Sequence, residues 1–159
     1  LLNKGWMTHD AMWFYHCLKE CGIEKTNKVN KAAVRSMAAV EIKRIKQAMG
    51  MEKELLSFEE IKDFLEGLSE LIRADFMKFT FSYPSENVIR CEWEKQKCFA
   101  YQGMKKLGVI DQYQCGIFDR VEAWLDGLGA KYSVTPRVET CMMHTDGHCF
   151  REYCFSFAE

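Results

Sequence analysis

No sign of charge dominates this chain: Lys plus Arg number 22 against 23 Asp plus Glu, a net charge of −1. The basic excess that marks a nucleic-acid-binding surface is missing, so nucleic acid is not an expected partner. No apolar run approaches the ~18–20 residues that cross a bilayer, so no membrane span is expected. Leu1 to Trp6 lacks the basic, apolar and small-residue order of a secretory leader, although the chain does not start with Met. There is no repeat of fixed period and no low-complexity segment. Cysteine is too sparse for a disulfide scaffold, at about one residue in twenty.

What is there suffices for one core. The 159 residues are 48% hydrophobic and 13% aromatic, which argues against long disorder. We expect a single domain over residues 1–159, with a helical part at about 8–72 and a mixed α/β part at about 74–159. A chain with eleven Phe and four Trp needs no covalent staples. Its eight cysteines therefore read as reduced thiols in a cytoplasmic protein. There, clustered Cys and His point to a metal or to catalysis, whereas a single Cys is usually a small buried hydrophobe.

The first half has helical period. Thr8 is placed to cap a helix over His9–Cys21, with Gly22 as its left-handed stop. A second helix is expected from about Thr26 to Met49. A third starts at Ser57, where Ser57 and Glu60 form a capping box. The period then changes to two. Phe76–Tyr83 and Val88–Glu94 alternate as strands around the turn Pro84-Ser85-Glu86-Asn87. Two short helices follow, over about Gln96–Leu107 and Gly116–Leu128. Tyr132–Met143 and Cys149–Phe157 are expected as a second hairpin, closed by a tight turn containing Asp146-Gly147. The fold class that follows is α+β: N-terminal helices packed on a four-stranded antiparallel sheet made of two hairpins.

The C-terminal hairpin holds the most chemistry. Cys141 and Cys149 stand on its two arms, eight positions apart, and Glu139 shares the side of Cys141 on a regular strand. His144 and His148 flank the turn. Zinc takes four such ligands at ~2.0–2.3 Å, so this hairpin can supply part of a cage.

Two stretches carry a family likeness. Asp10-Ala11-Met12-Trp13-Phe14 followed by Gly22, and Cys141 to Cys149 followed by Phe150 and Phe155-Ser156-Phe157, resemble a bacterial family related to L-2-amino-thiazoline-4-carboxylate hydrolase. The C-terminal pattern is also similar to the 4-vinyl reductase domain. That resemblance implies a zinc site, because phenol-sensing regulators built on the domain hold zinc with a Cys, a Glu and two further Cys. Cys115, Cys141 and Cys149 match the three cysteines in order and spacing. Glu139 is the nearest carboxylate but stands one position closer to its Cys than in the family, where Val138 occupies the matching place. The fourth ligand is thus open among Glu139, His144, His148, Cys98 and water. A closed sphere would make the zinc structural; a missing ligand would leave a water and a candidate hydrolytic centre.

Cys98 opens a helix beside Lys95 and Lys97, where the dipole favours a thiolate, and pairing with His16 would suit hydrolysis of a small cyclic amidine or amide. The alternatives are a buried inert Cys98 and a hydrogen-bonded His16 at the edge of the core. Trp13, Phe14, Trp93, Tyr101 and Phe118 are candidate walls of a small-molecule pocket, or simply core. The resulting expectation is a small-molecule-binding domain with a Cys-rich zinc site, acting as a cyclic amidine hydrolase or as a non-catalytic sensor. A metal- or redox-responsive protein is the third reading, and a homodimer fits any of them.

Overall fold

The computed structural model describes residues 2–51, 55 and 57–157. Helix α1 (Leu2–Ala48) is one helical run bent at Gly22, whose backbone stands at φ 75° and ψ 169°. Only a residue without Cβ adopts that conformation cheaply. The expected stop is therefore a kink, after which the helix resumes at once. Thr8 is not a cap but lies inside the helix, where its Oγ1 donates to the Lys4 carbonyl at 2.9 Å. Below the kink the second half of α1 packs on α4 (Ile117–Gly127). Gly127 permits the close approach: a Cβ there would stand 2.8 Å from Ile42 Cγ2.

Helix α2 (Phe58–Ile72) starts as its sequence requires, with both arms of the Ser57–Glu60 capping box formed. Ser57→Ala should cost about 1 kcal/mol, measured as a lowered urea midpoint. Its apolar face buries Ile61, Phe64, Leu65 and Leu68 in the core. The remaining elements are β1 (Phe79–Ser85), β2 (Val88–Trp93), α3 (Phe99–Lys106), a 3-10 turn at Ile110–Gln112, β3 (Tyr132–Thr135), α5 (Met142–Thr145) and β4 (Cys149–Phe155).

The strands form one antiparallel sheet in the order β1-β2-β4-β3. Alternation puts Ile89, Cys91 and Trp93 of β2 on the buried face, together with Cys149, Arg151, Tyr153 and Phe155 of β4. The α+β expectation and the four antiparallel strands hold. The second strand pair differs from expectation between its arms. The arm expected over Tyr132–Met143 stops at Thr135, because Pro136 has no N–H to extend the ladder. Residues 142–145 are helical, and Asp146-Gly147 follows that helical turn rather than closing a tight hairpin. No helix among the described residues is long and apolar enough to cross a membrane.

Candidate metal centre

Four thiols are delivered to one region from separate segments. Cys98 is the N-cap residue of α3, and Cys141 is that of α5. Cys115 sits one residue before Gly116, the N-cap of α4. Cys149 is the first residue of β4 and pairs with Trp93 of β2. Cys98, Cys141 and Cys149 are buried and Cys115 is half-buried; all are free thiols. The Cys115 segment is tied to the Cys141 loop by the Cys115 N–H donating to Glu139 O at 2.9 Å and by a Gln114–Thr140 bridge. Asn27 of α1 holds the same segment from the other side. Its Nδ2 donates to Gln112 O at 2.8 Å, and its Oδ1 accepts from Gln114 N at 3.2 Å.

These thiols feel one another. Burial pushes Cys98 up to about 12 from an ordinary value of 9.0, and the charges of Cys115 and Cys141 add to the rise. Burial likewise takes Cys115 to about 11, with Cys141 adding to it. Cys149 is raised by burial, then by Cys115, Cys98 and Cys141. Cys141 is raised by burial. Backbone amides oppose the shift in one repeated pattern, two and three residues ahead of each sulfur. They belong to Ala100 and Tyr101 at Cys98, Ile117 and Phe118 at Cys115, and Met143 and His144 at Cys141. No full side-chain cap hydrogen bond closes at Cys98 or Cys141, so the amides face the sulfurs without binding them tightly. Without metal, all four groups are neutral thiols at neutral pH. Among the described residues no three or more His, Cys, Asp or Glu side chains form a ready metal cage.

Glu139 and His148, the other expected ligands, have exposed side chains, and Glu139 lines the same cleft as Cys115. Glu139 contributes only its carbonyl, because the loop carrying it is not a strand and the alternation that aimed it inward does not apply. His148 stacks on Phe150 at 5.5 Å and its Nδ1 lies 3.0 Å from Asp146 O. His144 is exposed too and meets Asp111 Oδ1 at 2.7 Å.

The pairing of Cys98 with His16 gains no support. His16 is exposed on α1 with its ring against Tyr15, whereas Cys98 is buried; no hydrogen bond joins them. The helix dipole expected to activate Cys98 is outweighed by desolvation.

The expected aromatic wall is dispersed. Trp13 is 64% exposed, with its Nε1 donating to His9 Nε2 at 3.1 Å. Tyr101 is half-buried beside Lys105. Trp93 lines a polar cleft beside Arg73 and Lys78, and Phe118 lines another beside Glu122 and Arg151. Phe14 alone of the five lines a third, apolar cleft of about 520 Å³ between α1, α2, α3 and α4. Met37, Ile72, Phe99, Met104 and Tyr113 share that wall, and the Glu41–Arg120 ion pair adds a charged edge.

Sequence reasoning passed over two residues that shape the centre. Asn27 looks like any polar helix residue, and only its burial at 3% exposure marks it. Arg151 stands two positions after Cys149, so strand alternation was the signal that puts it on the same inward face. Comparison with curated proteins finds no match. A family model matches residues 2–154, and the chain belongs to that family, a family of unknown function (DUF6125).

Proposed function

We propose that this chain is a small-molecule-binding domain whose closing segments are held by a structural zinc on Cys98, Cys115, Cys141 and Cys149. The observation that carries the reading is that four buried or half-buried, free thiols from four separate segments influence one another electrostatically, three of them at or next to helix N-caps. The donor set fits the ion: zinc favours four sulfurs, and helix N-termini favour negative charge. The buried Nε1 of Trp93, whose backbone pairs with Cys149, has no acceptor among the described residues. The resemblance to the 4-vinyl reductase domain supports three of the four ligands; Cys98 replaces the family's carboxylate. Zinc bound there would supply a cross-link between α3, α4, α5 and β4. Four thiolates leave no open position for water, so we assign the metal a structural role and no hydrolytic step.

Metal analysis of protein purified without chelator tests the reading. We expect one zinc per chain, and protein that carries none and takes up none on titration would overturn it.

The ligand site we propose is the apolar cleft containing Phe14. Its volume lies in the range of ~300–1,000 Å³ usual for small-molecule sites, and its walls are largely apolar. Gly103 of α3 lines the cleft, and a Cβ built there meets nothing within 4 Å. Gly103→Trp should therefore fill the space while leaving the fold intact. We expect a neutral apolar fluorophore to bind the wild-type chain and to bind the variant at least about tenfold more weakly, a loss of roughly 1.4 kcal/mol. Equal binding would remove the cleft as the site.

A further inference from the structure

Arg151 is a cation in the interior. It is 4% exposed and points inward from β4, on the same face as Cys149. Its guanidinium has only neutral partners. Nη1 donates to Met142 Sδ at 3.0 Å and to Phe150 O at 3.2 Å, Nη2 donates to Val138 O, and Cζ lies 4.6 Å from the Phe118 ring centre. Among the described residues it makes no contact ion pair; Glu122 feels its charge from across the adjoining cleft. A buried charge that makes no contact ion pair is expensive, and Glu122 offsets it only at longer range.

The surroundings name a further partner. Val138 and Met142 flank Cys141 on either side, and Phe150 adjoins Cys149. One side chain thus ties together the two segments that carry the last two thiols. Zinc with four thiolates has a net charge of −2, since four sulfur charges exceed the two of the ion.

We propose that Arg151 is the charge partner of the zinc–thiolate centre and sets how tightly the chain retains its metal. The inference rests on the zinc reading above. Arg151 touches no metal; it is a positioning residue that acts through the thiolates of Cys149 and Cys115, and it holds the Cys141 segment through Val138 and Met142.

The test compares wild type, Arg151→Met and Arg151→Lys as full chains, each loaded with zinc and titrated with a chromophoric chelator at constant pH. Circular dichroism of each chain reports folding. Methionine keeps the apolar stem and removes the charge; lysine keeps the charge and loses the fork. We expect R151M to bind zinc about tenfold or more weakly than wild type, and R151K to stay within a few-fold of wild type. A folded R151M that holds zinc as tightly as wild type overturns the proposal. So does an R151K that loses as much affinity as R151M, because the fork rather than the charge would then matter. If R151M does not fold, R151K decides alone: near-wild-type affinity supports the charge role and a tenfold loss overturns it. A wild-type chain that takes up no zinc removes the metal centre itself, an outcome distinct from any failure of the variants.

Discussion

Cys98→Ser should leave the chain unable to retain zinc and should lower its stability more than any other single change proposed here. Serine keeps the N-cap position at the start of α3 but replaces the proposed sulfur ligand with a hydroxyl of far lower affinity for zinc. Structural zinc sites in small domains contribute on the order of 10 kcal/mol of apparent binding energy, comparable to the whole net stability of a domain. Losing one of four ligands forfeits a large part of that. Glu139→Gln and His148→Gln are the controls, since both side chains are exposed. We expect metal content near zero and a lower thermal midpoint in C98S, with both controls at wild-type levels. The reverse pattern, with C98S loaded and E139Q empty, would restore the carboxylate that the family resemblance implies and remove Cys98 from the centre.

The second large effect is alkaline. In the metal-free chain, burial raises Cys98 to about 12 and Cys115 to about 11 from 9.0, and raises Cys141 and Cys149 as well. A thiol whose folded pKa is raised keeps the fold stable below its unfolded value. That contribution is lost as pH climbs through the folded value. Chelator-treated protein should therefore weaken steadily from about pH 9 upward, by several kcal/mol once the thiols ionise. Zinc-loaded protein should be much less sensitive, because its sulfurs are already deprotonated. Urea midpoints at about pH 8 and about pH 10.5, with and without chelator, separate the two states. A flat profile in the stripped protein would mean that the thiols are not desolvated as the fold describes.

Legibility in the sequence followed the range of the interactions involved. The capping box at Ser57 and Glu60 was readable because it spans a single turn. The four antiparallel strands were readable from alternation, apart from the stretch after Pro136. There, a run of β-like residues predicts a strand but folds as loop and helical turn. The strand expectation put Glu139 on the side of Cys141 and closed the hairpin on a tight turn, and the observed loop supports neither. Cys98 was legible as a thiol in the first turn of a helix, and that local setting suggested activation; the structure makes it the N-cap. Burial, which no neighbouring residue reveals, reverses that tendency. The aromatic set shows the same limit: Trp13 and Phe14 are adjacent in sequence, yet one is exposed and the other lines the apolar cleft.

By itself the amino-acid sequence determined most element types, the α+β class, a left-handed glycine at position 22 and the set of thiols available for a metal. All of these depend on periodicity or on the conformational preference of single residues. Only the tertiary structure decided which thiols influence one another, that Asn27 anchors the Cys115 segment and that Arg151 is buried with no contact ion pair among the described residues. Those facts depend on burial and on contacts between residues far apart in the chain, and neither is encoded in any short stretch of it.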